Sequence, residues 1–306
     1  MKRMWNILKW TLISLTAFVL VGFIASEATI AIYRSQLSES ALHDYETVNV
    51  DGIDIAYRTL VDEGDETLII VHGFLGSSYE YVDLFDGVDV EAFNTRVIAI
   101  DMPGFGMSDK PEDYVYTNDT HAQTLLAAIE ALGIESFSLL GHSLGGEVAQ
   151  RMVAASSDVE KLFLLDPVGP NMETDPVTIP RFFYTVFFKN YWLQRLGFNS
   201  APAEPLEKDV FRPAMIQNHG IPSRILQKFS EDVDDNFPVD FASEISIPIY
   251  IAYGDQDTWT PPELLDGYLE LYPHAEGSII ENSGHLPYLE QPENTRVLIE
   301  KFINNE

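Results

Sequence analysis

The chain has 306 residues, 46% of them hydrophobic, so it can bury a sizeable core, either as one large α/β domain with an insertion or as two smaller domains. A formal charge of −30 argues against nucleic acid or anionic lipid as the main partner and fits a surface kept soluble by self-repulsion, which a saline medium would screen. There is no cysteine, which excludes disulfides, thiolate nucleophiles and thiolate metal sites.

The first predicted element is a membrane segment. Lys2, Arg3 and Lys9 flank Trp10 to Ala25, a run without charge. It is longer than a signal-peptide core and shorter than the ~20 apolar residues of a full span, but apolar character resumes after Glu27 in TIAIY. Residues 1–34 are therefore read as an uncleaved N-terminal anchor, with the basic flank inside and residues 35–306 on the non-cytoplasmic side. Ser26 and Ala28 leave the alternative of signal-peptidase cleavage and secretion.

Beyond a polar linker, TVNVDGIDIAYRTL alternates apolar and polar residues around Asp51-Gly52, the pattern of a tight β-hairpin. Short apolar runs follow at 67–73, 96–101, 137–143, 161–166, 247–257 and 277–282. Runs this continuous suit strands buried on both faces of a parallel sheet. Between them lie helical patterns: Thr120 to Leu132, Pro261 to Leu271 behind a Thr260/Glu263 capping box, and Pro292 to Ile303. Strands alternating with helices predict a doubly wound α/β sheet. The rhythm breaks between 170 and 246, where the aromatic stretch RFFYTVFFKNYWLQRLGF begins a predicted helical insertion over one end of the sheet.

In LLGHSLGGEVAQ, Ser143 stands among Gly141, Gly145 and Gly146, between a predicted strand and a predicted helix. In that setting G-x-S-x-G is a nucleophile elbow: the serine occupies a sharp turn, and side chains at the glycines would strike the neighbouring strand and helix. A phosphate loop would want a lysine here, and none is present. A serine hydroxyl needs a base, itself oriented by a carboxylate. His274 precedes the last predicted strand, at its far end, whereas His285 follows it and shares the edge with Ser143; His285 is read as the base. For the acid, Asp257 can reach back to an imidazole, Asp255 suits a turn-stabilising role, and Asp166 is a third candidate.

The stretches HGFLGSS (72–78), DMPGFGMSD (101–109), GHSLGG (141–146), GDQD (254–257) and SGHLPYLEQPE (283–293) together resemble the α/β-hydrolase family, over nearly everything from Val48 to Phe302. The resemblance implies an eight-stranded, mostly parallel sheet with helices on both faces and a helical cap inserted after the sixth strand. It implies Ser143, Asp257 and His285 as nucleophile, acid and base, with an oxyanion hole from the backbone N–H groups of Phe74 and Leu144. It casts His72 and His142 as loop-shaping residues and DMPGFGMSD as a structural turn. No cofactor or metal is expected, since no HExxH or clustered histidine–carboxylate spacing occurs.

Phe182, Phe183, Phe187, Phe188 and Trp192 carry more aromatic surface than a short connector needs, and are expected to face the sheet and form an apolar acyl pocket. The functional expectation is an esterase or lipase working through an acyl-enzyme on apolar, short- to medium-chain or monoacylglycerol-like esters. C–C bond hydrolysis and cofactor-free perhydrolysis can use the same triad. A non-catalytic receptor of this fold would be expected to have lost triad members, and all are present.

Overall fold

The first helix, α1 (Lys2–Gln36), runs unbroken for 35 residues in the computed structural model, which describes residues 2–36, 44–170, 180–206, 208–232, 242 and 245–305. Among the described residues no helix is long and apolar enough to cross a membrane, which corrects the reading of 1–34 as a transmembrane anchor. The physical reason lies in the second half of α1. Ser26 and Ile30 are buried there against the rest of the protein, while Trp5, Leu8, Trp10, Ile13 and Leu20 in the first half stay exposed.

Strands β1 (Glu46–Val50) and β2 (Ile53–Val61) form the expected hairpin. Asp51 and Gly52 at its turn have φ of 50° and 87°, the left-handed pair whose twist matches the flanking strands. Next come β3 (Glu66–Val71), a 3₁₀ helix (Ser78–Phe85), the short α2 (Val90–Phe93) and β4 (Thr95–Ile100). Helix α3 (Asn118–Ala131) is capped by Thr117, whose hydroxyl accepts the Thr120 N–H at 3.1 Å. Then follow β5 (Phe137–His142), α4 (Leu144–Ala155) and β6 (Val159–Leu165).

After β6 the chain leaves the sheet. Four helices, α5 (Arg181–Phe188), α6 (Tyr191–Phe198), α7 (Lys208–Gly220) and α8 (Ser223–Asp232), occupy the expected insertion, parts of which (171–179, 207, 233–241, 243–244) lie outside the described residues. The sheet resumes with β7 (Ile249–Gly254), α9 (Leu264–Leu271) and β8 (Glu276–Ile280) and closes with α10 (Pro287–Glu290) and α11 (Pro292–Asn304).

The eight strands are ordered β1-β2-β4-β3-β5-β6-β7-β8, with β2 antiparallel to β1 and β4 and every other pair parallel. Alternation within a buried strand feeds two cores. Ile69 and Val71 of β3 pack on the side holding Leu125 and Val148, whereas Leu68 and Ile70 pack on the side holding Tyr81 and Ile299. Covered on both faces, the central strands need continuous apolar runs, which is how they were recognisable. Their C-terminal ends, after β5, β7 and β8, converge on one edge and carry the candidate site.

Candidate active site

Ser143 joins β5 to α4 with φ 52° and ψ −121°, a conformation costly for a residue with a side chain. The neighbouring glycines make the turn sterically possible. A Cβ on Gly145 would come within 2.3 Å of the Val71 carbonyl oxygen, and one on Gly141 within 2.5 Å of the Gly145 carbonyl. Helix α4 thus starts against the end of β3, with the serine hydroxyl above the sheet edge.

The loop after β8 brings His285 to that hydroxyl. Its Nε2 lies 3.0 Å from Ser143 Oγ and its Nδ1 lies 2.7 Å from Asp257 Oδ2. His285 and Asp257 are each 3% exposed. Asp257 accepts four hydrogen bonds: from the Trp259 and Thr260 N–H groups at 2.7 and 3.0 Å, from the Thr260 hydroxyl at 2.6 Å, and from His285. Burial by itself would raise this carboxyl; the His285 and Thr260 donors outweigh it and hold it below the usual carboxylate range.

Neither of the other acidic candidates is hydrogen-bonded to His285. Asp255 accepts the Ser283 N–H at 3.1 Å and so bridges the loops after β7 and β8. Asp166 is fully buried behind Asp257, and its Oδ1 accepts the Gly254 N–H at 2.8 Å. Asp166, Asp257 and His285 each bring an oxygen or nitrogen within 4.8 Å of the others. Burial, then the charge of Asp257, push the Asp166 carboxyl well above its ordinary range.

The two N–H groups expected to bind an oxyanion flank the serine. Leu144 is the first residue of α4, and neither its N–H nor that of Phe74 has a hydrogen-bond acceptor among the described residues. Gly73 presses so closely that a Cβ there would stand 3.0 Å from Ser143 Cβ, which holds the Phe74 segment beside the hydroxyl. His72 and His142 tie loops together. The His72 Nδ1–H donates to the Gly73 carbonyl while Nε2 accepts the Met102 N–H, and the His142 Nε2–H donates to the His285 carbonyl at 2.8 Å. Burial, then the nearby His285, lower the His142 imidazole to about 3, so it stays neutral. His274 is exposed at the far end of β8. In the DMPGFGMSD segment the Asp101 carboxylate accepts the Ser78 and Met107 N–H groups, organising a turn.

Three contributors were not recognised in the sequence. Thr260 was read as a helix cap; instead α9 starts at Leu264 with no side-chain cap, and the Thr260 hydroxyl is turned to Asp257. Glu290 accepts the Gly284, Leu286 and Ala203 N–H groups, gripping the loop that carries His285. Glu80 lies buried in the pocket wall, where burial pushes its carboxyl up to about 8 despite a hydrogen bond from Tyr288 at 3.0 Å. Only its place two residues beyond the HGFLGSS stretch could have drawn attention to it.

Beside His285 opens a cavity of about 450 Å³. Phe187 and Phe188 line it, with Leu193, Phe198, Met215 and Trp259. Phe182, Phe183 and Trp192 do not line it and are exposed, which corrects the expectation that all five aromatics face the sheet. Helical geometry is the reason. Tyr184, buried and bonded to Ser230, sets the inward face of α5, and Phe188 recurs on that face one turn later.

The sequence profile of the α/β hydrolase fold matches residues 66–209. Lipase 3 of Moraxella sp. (strain TA144) is 24% identical over 306 aligned residues, covering 93% of this chain and 94% of that protein. Among solved structures, a bacterial membrane phospholipase A superposes with a TM-score of 0.72 at 23% identity, over 100% of this chain and 99% of that one. A meta-cleavage product hydrolase superposes with a TM-score of 0.69 at 22% identity, over 85% of this chain and 98% of that one. With its eight-stranded sheet, the serine turn after β5 and these likenesses, the chain has the α/β-hydrolase fold.

Proposed function

We propose that this hydrolase cleaves carboxylic esters, with Ser143 as nucleophile, His285 as general base and Asp257 as the acid that orients it. The observation that carries the reading is the relay of 3.0 Å from Ser143 Oγ to His285 Nε2 and 2.7 Å from Nδ1 to Asp257 Oδ2, beside a largely apolar cavity. Ser143 Oγ attacks the ester carbonyl as its proton passes to Nε2. The Phe74 and Leu144 N–H groups receive the oxyanion, and His285 returns the proton to the leaving alcohol. A water then repeats the sequence on the acyl-enzyme, releasing the acid. Asp257 keeps the proton on Nδ1, so that Nε2 is free to accept.

The likeness to a meta-cleavage product hydrolase supports a second reading, C–C bond hydrolysis by the same relay. One curated relative, 26% identical, is named for a hexa-2,4-dienoic acid substrate, and such an acid carries a carboxylate. No lysine or arginine is among the described residues lining this cavity, and Glu80 is. A wall without a cation favours a neutral, apolar acyl group, short- to medium-chain or monoacylglycerol-like.

The exposed apolar side chains of α1, together with Phe182, Phe183 and Trp192 of the insertion, support association with a lipid surface. The test of the chemistry is direct. Ser143→Ala should abolish hydrolysis of nitrophenyl esters with the fold intact, and a fluorophosphonate should label Ser143 alone. Activity that survives the substitution, or a label elsewhere, rejects the assignment.

A further inference from the structure

Ser26 and Glu27, the polar interruption of the apolar N-terminal run, hold α1 onto the helices that wall the cavity. Ser26 Oγ accepts the Tyr191 N–H at 2.7 Å and donates to the Lys189 carbonyl at 3.3 Å, at the start of α6. Glu27 Oε1 lies 3.0 Å from His219 Nε2, near the end of α7. One turn beyond Ser26, Ile30 is buried in a small core of its own with Tyr191, Met215 and Ile216. Tyr33 meets the Tyr191 ring edge-on at 5.4 Å, and the Arg212 guanidinium stands 4.3 Å from the Tyr33 ring centre. Positions 26, 30 and 33 recur on one helical face, so these contacts form a single seat.

The opposite sides of α6 and α7 are cavity wall. Leu193, Gln194 and Phe198 of α6 and Met215 and Asn218 of α7 line the space beside His285. Met215 belongs to both surfaces, touching the core of Ile30 and the cavity. One layer of side chains thus separates α1 from the substrate space. Interiors packed this closely transmit displacement, since a side chain that loses its backing shifts or leaves a void.

We propose that α1 is a specificity-determining part of the substrate site: seated on α6 and α7 through Ser26, Glu27 and Ile30, it fixes the wall along which the acyl chain lies. The inference rests on the ester-hydrolase reading for the nature of the chain being bound, and not for the seat itself. Unseating α1 loosens the distal wall while Ser143, His285 and Asp257, held by the sheet edge, keep their geometry. Short acyl groups, which do not reach that wall, are indifferent to α1; longer ones are not.

The experiment uses the full chain and two variants, Ile30→Asp and the milder pair Ser26→Ala with Glu27→Gln. Each is assayed for kcat/KM on nitrophenyl acetate, butyrate, octanoate and decanoate, for the rate of fluorophosphonate labelling, and for binding of neutral 1-decanol by calorimetry. Ile30→Asp should keep acetate hydrolysis and labelling within about threefold while the octanoate-to-acetate ratio falls at least tenfold, with faster amide exchange in α6 and α7. The milder pair should move the ratio in the same direction by a smaller factor, and carries the test if Ile30→Asp fails to fold. An unchanged ratio alongside faster exchange in α6 and α7 overturns the proposal, as does a fall in acetate and octanoate activity by equal factors. If the unaltered protein hydrolyses no ester and Ser143 is not labelled, the ester reading is lost. The affinity for 1-decanol then decides the role of α1: weakening at least tenfold in Ile30→Asp supports it, and unchanged affinity overturns it.

Discussion

At the scale of single residues, the site turns on which carboxyl carries charge. Asp257 accepts four donors, which hold its carboxyl below the usual range; Asp166, buried beside that charge with one backbone donor, is pushed well above it. Asp257→Asn should therefore lower kcat by about three to four orders of magnitude, since the imidazole loses its tautomer and orientation, as in the serine protease triad. Asp255→Asn should cost less than tenfold, and so should Asp166→Asn, which keeps an oxygen for the Gly254 N–H. If Asp166→Asn proved the more damaging, the acid would be misassigned. Glu80 makes a separate prediction about stability. Its folded value of about 8 lies above the ordinary glutamate range, so the native state holds a proton that the unfolded chain has released. The resulting stability is complete below the ordinary range and is lost as pH rises towards 8, by up to about 1.4 kcal/mol per pH unit. Glu80→Gln should flatten that slope in denaturant titrations between pH 5 and 8; an unaltered slope would place the pH dependence elsewhere.

At the scale of elements, the site depends on two junctions. The first is β5 to α4, where Gly145 meets the carbonyl oxygens of Val71 and His72 at distances no Cβ can accept. Because the obstacle is backbone, nothing can swing aside. Gly145→Ala should destabilise the protein by about 3 kcal/mol or more and remove activity with it, measured by urea unfolding and ester turnover. The second junction is the loop between β8 and α10. Three N–H groups converge there on Glu290, and the His285 N–H donates to the Ala201 carbonyl of the segment following α6. Glu290→Ala should lower kcat more than it raises KM, because the imidazole drifts while the cavity persists. Glu290→Gln, which retains one acceptor oxygen, should recover part of the loss.

At the scale of the whole molecule, exposed apolar side chains coexist with a large negative charge. Trp5, Trp10, Phe182 and Trp192 stand exposed on α1 and the insertion of a chain whose net charge is −30. Apolar contact with lipid and repulsion from anionic headgroups then act in opposite directions. The full chain should co-sediment with zwitterionic phosphatidylcholine vesicles and bind anionic vesicles less well, most visibly at low salt. Replacing Trp5, Trp10 and Ile13 by Asp should weaken vesicle binding at least tenfold without altering hydrolysis of soluble acetate esters. Equal binding by the altered protein would show that α1 does not meet lipid.

The sequence by itself determined the sheet and the serine. Strands buried on both faces require continuous apolar runs, a hairpin turn requires left-handed residues at Asp51-Gly52, and a turn crowded by backbone requires glycine. Such constraints act over a few neighbouring residues, so they are written locally. Only the tertiary structure decided what α1 does, because an apolar run reads alike whether it faces lipid or another helix, and Ser26 and Glu27 gain meaning only when Tyr191 and His219 meet them. The same holds for Thr260, whose spacing to Glu263 fits a helix cap until Asp257 and His285 arrive from either side. It holds too for the aromatic stretch 182–192, whose composition demanded burial while the helical period allowed only part of it. Hydrogen bonds between segments far apart in the chain leave no periodic trace, among them those from His285 to Asp257 and Ser143 and from the Ala203 N–H to Glu290.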